Sequence, residues 1–306
     1  MAVAAKRLAR PQPERSPAGA RDRVARSAVA AGLTVIAAGL VVAAVLGPLV
    51  SDLVDYRVSE TLRAQTIGLD AVSLLVVAPL GLTAAVLVVR GRVLGLALGL
   101  GIGAFTSYMV PQYVLGPDYA GLPGNNERLF PLWLVLFASA WMVTLAAWAQ
   151  IETDRLPRSR RRELRIGRVL LPVLAFLAFV RYLPALGDAM RSAPNDAGYL
   201  AGPAFFWVIV LLDLGVFLPL TVATCVGLIR DEPWAPRAQY VVAGWFGLVG
   251  LAVAAMAVVM YVNDDPAATA AGTAFMTALG AAFALLAAYV YWPLVRSDRA
   301  ARETGL

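Results

Sequence analysis

An all-α bundle of about eight membrane-crossing helices, with both termini cytoplasmic, is the fold class that this sequence predicts. Three observations predict it. The chain is 60% hydrophobic and 15% charged, with a mean hydropathy of +0.71, against about 45–50% apolar and about 25% charged in soluble domains. Apolar runs long enough to cross a bilayer recur along its 306 residues. Arginine and lysine alternate between rich and poor from one connection to the next, as the positive-inside rule requires.

The elements follow in order. Residues 1–26 carry Lys6, Arg7, Arg10, Arg15, Arg21, Arg23 and Arg26 against Glu14 and Asp22, with Pro11, Pro13 and Pro17 among them. They are expected to form a disordered basic cytoplasmic tail. The first apolar run is too long for the core of a signal peptide, so it is expected to stay as a helix. Spans are expected at about 27–50, 67–89, 93–115, 130–150, 168–186, 204–229, 239–262 and 270–293. Residues 27–293 are thus one transmembrane helical domain, and 294–306 a cytoplasmic C-terminal tail.

Loop charge tests that count. One side collects the tail, Arg90 and Arg92, then Arg155, Arg158, Arg160, Arg161, Arg162, Arg165 and Arg168, then Arg230 and Arg237, then Arg296, Arg299 and Arg302. The other side holds few basic residues but many acids, among them Asp52, Asp55, Glu60, Asp118, Glu127, Asp188, Asp196, Asp264 and Asp265. A missed or extra crossing would break the alternation. The basic loop 151–168 is expected to touch anionic lipid headgroups. No aromatic interleaving or nucleic-acid module accompanies it, so no nucleic-acid partner is expected.

Absences narrow the chemistry. The chain has no histidine, its only cysteine is Cys225, and its only lysine is Lys6 in the tail. His-ligated metal or haem sites, intrachain disulfides and a Schiff base within the helices are thereby excluded. No cofactor or metal is implied, and no catalytic residue is assigned. The use of arginine for nearly every basic position, with heavy Ala, Val, Leu and Gly, points to a high-GC bacterial source and so to the cytoplasmic membrane.

The informative residues in such a chain are the polar ones within the spans, because a charge at mid-depth costs about 2.5–3.5 kcal/mol on insertion scales. Asp213 lies roughly 13 Å inside the outer boundary of the sixth span. Arg181 lies near the outer end of the fifth, and Asp70 about one turn inside the second, with Ser73 on the same face. Ser107, Tyr108, Gln112 and Tyr113 surround Pro111 in the third span, where the missing donor is expected to kink the helix. Asp70, Tyr108, Gln112, Arg181 and Asp213 are therefore expected to form one outward-facing polar cluster that binds a small solute or a proton. Structural readings stand beside it: Arg181 snorkelling to the interface, Asp70 favoured by the start of its helix, or an Asp213–Arg181 ion pair. Two further patterns are visible. Asp70 with Pro79–Leu80 and Asp213 with Pro219–Leu220 suggest related halves, with unequal Asp–Pro spacings. Gly99 and Gly103 suggest close helix contact.

The stretch 56–148 carries a pattern of its own: Gly68 and Asp70 early in the second span, Pro79–Leu80 deeper in it, Arg90–Gly91 at the following turn, and Tyr108 and Tyr113 near the outer end of the third. It resembles a group of uncharacterised bacterial multi-pass membrane proteins, over about a third of the chain, with Ile67 standing where a glutamine is expected. The resemblance implies that Asp70 and Tyr108 belong to the group's pattern, and it supplies no activity.

Function is expected to be the handling or sensing of a small solute or proton. The rival class is a membrane scaffold or accessory subunit that binds a protein partner or lipid. A carboxylate-based intramembrane enzyme comes third, since no nucleophile–base pair is visible.

Overall fold

The computed structural model describes residues 17–303, apart from side chains at 17–21, at 301–303 and at six positions of the fifth long helix, Arg181 among them. Most of the expected N-terminal tail, residues 1–16, lies outside the described residues, as do 304–306. Every regular element among the described residues is helical.

Eight long helices follow one another: α1 (Pro17–Leu46), α2 (Glu60–Val89), α3 (Val93–Leu115), α4 (Phe130–Gln150), α5 (160–189), α6 (Pro203–Arg230), α7 (Ala235–Val262) and α8 (Ala270–Glu303). Among the described residues, seven of them are long and apolar enough to cross a membrane; α5, with six positions outside the described residues, is not among those seven. In α5 the uninterrupted apolar stretch is 169–180, flanked by Arg168 and Arg181.

Helix boundaries differ from the hydropathy expectation where polar residues start a helix. α1 is helical from the first described residue, Pro17, so 17–26 is helical where a disordered tail was expected. Asp22 pairs with Arg26 one turn on at 3.4 Å. α2 begins at Glu60 because Ser59 caps it, its side chain accepting from the Leu62 amide. α8 runs past 293, through Pro293, to Glu303.

α3 is the centre of the bundle, with 83% of its most apolar window buried. α1, α2, α4 and α7 pack around it, and α6 reaches it on the side facing α7. Small residues allow the approach. A Cβ added to Gly101 would sit 2.8 Å from the Gly244 Cα of α7, and one on Gly103 would sit 2.9 Å from the Ala140 carbonyl of α4. Tyr291 of α8 ties the layers together, its hydroxyl lying 3.0 Å from the Ala97 carbonyl and 2.8 Å from that of Tyr240. α5 and α8 are peripheral: α5 leans on α6, and α8 leans chiefly on α7, with 11% of its apolar window buried.

One end of the bundle is pinned by arginines. Arg160 donates to the Leu228 and Ile229 carbonyls at the end of α6, and Arg162 to the Tyr289 and Val290 carbonyls of α8. Arg158 pairs with buried Glu163 and with Asp231, and Arg92 pairs with Asp298 at 3.4 Å. Arg237 lies over the Trp148 ring. Arg160 thereby meets unsatisfied carbonyls of the α6 C-terminus, and the Tyr289 carbonyl lacks its usual helical partner because Pro293 has no amide hydrogen. The start of α1 lies at this end too, since the Arg26 guanidinium abuts Gly91 in the α2–α3 turn.

Three helices widen into a π-turn: Ser73–Val77 in α2, Leu177–Tyr182 in α5 and Asp213–Phe217 in α6. Each is followed two residues later by a proline, Pro79, Pro184 and Pro219. Proline has no amide hydrogen and its ring crowds the carbonyl four residues back. The widened turn meets both demands, with Ala78 bonding the Ser73 carbonyl and Leu218 the Asp213 carbonyl, each five residues back. α3 runs through Pro111 as regular α-helix.

Candidate functional site

Asp70 is the polar centre of the bundle's other end. It sits on α2 and is 1% exposed. Its Oδ1 accepts a 2.5 Å hydrogen bond from the Tyr113 hydroxyl of α3. Its Oδ2 is buried and has no hydrogen-bond partner among the described residues; it lies beside Gly47, where α1 ends, close to the Tyr56 ring.

Aromatic rings close the cluster. Tyr113 stacks on Trp133 of α4 with centroids 4.4 Å apart, and Tyr56 tilts against Tyr113 at 5.4 Å. Trp133 is fully buried. The Tyr56 hydroxyl is buried without a partner among the described residues. Burial, and then the neighbouring Asp70, push that phenol well above its ordinary range, so Tyr56 keeps its proton. Ser73, one turn on from Asp70, donates to the Leu69 carbonyl of its own helix.

Beside this cluster lies a cavity of about 10 Å³, bordered by Tyr56, Gln65, Thr66, Gln112 and Tyr113. That is the room of a single water. Gln112 spends its amide on the Tyr108 carbonyl of its own helix. A folded loop pair covers the whole. Arg57 makes a two-pronged contact with Glu127 and reaches the Leu122 carbonyl, while Asn125 exchanges bonds with Asp55 and Leu53.

The five residues expected to converge do not form one cluster. Asp70 and Gln112 lie at or near the cavity. Tyr108 faces elsewhere, edge-on to Phe217 of α6 and Trp245 of α7, each at 5.3 Å, with Phe217 and Trp245 stacked at 3.9 Å. Asp213 opens the π-turn that ends at Phe217 and is half-buried. The Arg181 backbone lies in the π-turn of α5, and its side chain lies outside the described residues.

Tyr56, Tyr113 and Trp133 were not among the five. Tyr113 carried a signal, as a phenol near the same outer end. Tyr56 comes from a loop, and no periodicity relates a loop residue to a helix face.

The basic loop divides into two sets. Arg158, Arg160 and Arg162 are consumed by the contacts described above. Arg161, Arg165 and Arg168 recur along α5 at helical spacing, are exposed, and have no ion pair among the described residues.

Seven apolar helices of this length, around a core that holds the buried Asp70 carboxyl, fit a multi-pass membrane protein. Comparison with known proteins finds no matching family model, no matching curated relative and no matching solved structure.

Proposed function

We propose that this chain is a cytoplasmic-membrane protein that handles or senses a proton at Asp70, in the outer half of the bilayer. The observation that carries the reading is the Asp70 carboxyl itself: one oxygen on the Tyr113 hydroxyl, the other without a partner among the described residues, beside a cavity the size of a water. A carboxyl inside a membrane protein is by default a functional group. It is also one of the few side chains here that can take up and release a proton, since the chain has no histidine. The cavity volume favours a proton over the larger solute otherwise expected at Asp70, Tyr108, Gln112, Arg181 and Asp213. Asp70 and the Asp213 turn approach different faces of α3, which disfavours a paired-carboxylate enzyme.

The reading includes eight crossings with both termini inside. α5 starts beside the last residues of α6, through Arg160, and the chain returns through 190–202 to the start of α6, where Gly202 abuts Leu62 of α2. Its 30 residues would reach roughly 45 Å. The alternation of basic loops needs the same crossing. On this topology Arg161, Arg165 and Arg168 face cytoplasmic headgroups, which narrows the anionic-lipid contact expected of 151–168 to those three.

A second reading has its own observation. α8 leaves most of its apolar window uncovered, as an accessory subunit or scaffold would if a partner covered it.

The test is proton uptake. Purified protein in mild detergent, taken through a pH step, should show a carboxyl infrared signal that Asp70→Asn abolishes and Asp213→Asn leaves in place. In liposomes holding a pH-sensitive dye, Asp70→Asn should also remove any protein-dependent proton flux. A carboxyl signal and a flux both unchanged in a folded Asp70→Asn protein would overturn the reading.

A further inference from the structure

The opposite end of the bundle holds a second feature that proton handling does not use. Between α1 and α2 runs an open cleft of about 330 Å³, lined by Ala30, Ala31, Thr34, Ala85, Val86 and Val89, and ending at Arg90. Its volume lies within the ~300–1,000 Å³ that bound small molecules occupy. Its walls are apolar: Ala30 and Ala31 with Thr34 on α1, and Ala85, Val86 and Val89 on α2. Thr34 spends its hydroxyl proton on the Ala30 carbonyl of its own helix, which leaves the lining with no free donor of its own.

Arg90 is the exception. It is exposed, at the last turn of α2, and makes no ion pair or side-chain hydrogen bond among the described residues. Its neighbours at this end are engaged: Arg92 with Asp298, and Arg26 with Asp22. A free guanidinium thus closes one end of an apolar cleft whose other end opens along the bilayer.

We infer that this cleft is a binding site for one anionic phospholipid, its phosphate on Arg90 and an acyl segment against the apolar walls. The guanidinium fork matches phosphate oxygens geometrically. On the proposed topology the site lies in the cytoplasmic leaflet, where anionic lipid is attracted to basic residues. The chain's own N-terminal segment is a poor occupant, because it carries Lys6, Arg7, Arg10 and Arg15 and would be repelled by Arg90.

The experiment compares phosphatidylglycerol with phosphatidylcholine of identical acyl chains. Full-length protein is loaded with an equal mixture, stripped with mild detergent, and weighed by native mass spectrometry. One phosphatidylglycerol should survive on the wild type in preference to phosphatidylcholine. Arg90→Gln should lower that preference about five-fold, and Arg90→Lys should keep most of it. Ala31→Leu, at an exposed position of the wall, should reduce retention of both lipids. Arg161→Gln, Arg165→Gln and Arg168→Gln together should leave the retained lipid in place. Equal retention of the two lipids by the wild type overturns the proposal. So does an unchanged preference in folded Arg90→Gln, or a second copy of the chain that displaces lipid from the cleft.

Discussion

The π-turns of α2 and α6 are the same backbone device in two settings. Each opens on a polar residue six positions before a proline, Ser73 before Pro79 and Asp213 before Pro219. The structural counterpart of Asp213 is therefore Ser73 rather than Asp70, which explains the unequal Asp–Pro spacings. The settings differ in what surrounds them. The α2 turn packs on α1, Ser73 reaches the Met109 sulfur of α3, and Asp70 and Ser73 are each 1% exposed. The α6 turn is half-exposed, in a helix with 17% of its apolar window buried. The comparison teaches that burial, supplied by neighbouring helices, decides what a polar residue beside a proline-linked turn can do. In α2 that burial isolates a carboxyl from bulk water.

Glycine substitutions would break the comparison most strongly. Gly68 on α2 faces the α7 backbone, where an added Cβ would lie 2.5 Å from the Met256 nitrogen. Gly215, within the α6 turn, meets nothing nearer than the Leu211 side chain at 3.5 Å. Gly68→Ala should destabilise the protein toward the upper end of about 1–3 kcal/mol, since backbone cannot move aside as a side chain can. Gly215→Ala should be neutral or should stabilise by up to about 1 kcal/mol through helix propensity. Thermal unfolding of both variants in the same detergent measures the difference. Equal melting points would mean that α2 and α7 do not approach as closely as described.

A smaller effect separates the two phenols of α3. Tyr113→Phe removes the hydrogen bond to Asp70 and leaves the carboxyl buried with neither oxygen bonded. A loss of about 1.5–3 kcal/mol is expected. Replacing Asp70 as well should recover part of it, because the unsatisfied acceptor disappears. A double-mutant cycle over Tyr113→Phe and Asp70→Ala reads that coupling. Additive losses would show that the 2.5 Å contact contributes nothing of its own.

The helices were legible in the sequence because crossing a bilayer demands length and apolarity, and both are read along the chain. Polar starts were less so. The cap at Ser59 and the helical stretch 17–26 fall where hydropathy is low, and a window of apolar residues stops short of them. α5 was legible from its apolar run and from loop charge together, although Arg168 and Arg181 confine its uninterrupted apolar stretch to 12 residues. Site geometry was hardest to read. Tyr108 and Tyr113 are five positions apart, about 140° around a helix at 3.6 residues per turn, so they could not both face Asp70. Which one does was hidden, because α3 is apolar on every side and carries no amphipathic stripe to orient it. Tyr56 reaches the cluster through the fold of a loop.

The gentlest test lies on the exposed side of the comparison, in the connection that leads into α6. Asp188, at the end of α5, accepts backbone hydrogen bonds from Asn195 at 2.7 Å and Asp196 at 2.6 Å. These amides hold its carboxyl below the usual aspartate range, the Asn195 bond contributing first. The folded value lies below the unfolded one, so the stabilisation is complete above the ordinary aspartate value of about 3.9 and is lost as pH falls through the lower folded value. Lowering the pH from about 5 toward 2 should therefore loosen the 188–196 connection before the α3 core responds. Amide exchange at Asn195 and Asp196 should quicken over that window, corrected for intrinsic rates, while amides around Tyr113 stay protected. In Asp188→Asn the connection should exchange faster at pH 5 and lose most of this pH dependence. If the Asn195 and Asp196 amides follow the same pH profile in both proteins, the carboxylate does not organise the turn, and the entry to α6 is ordered by packing alone.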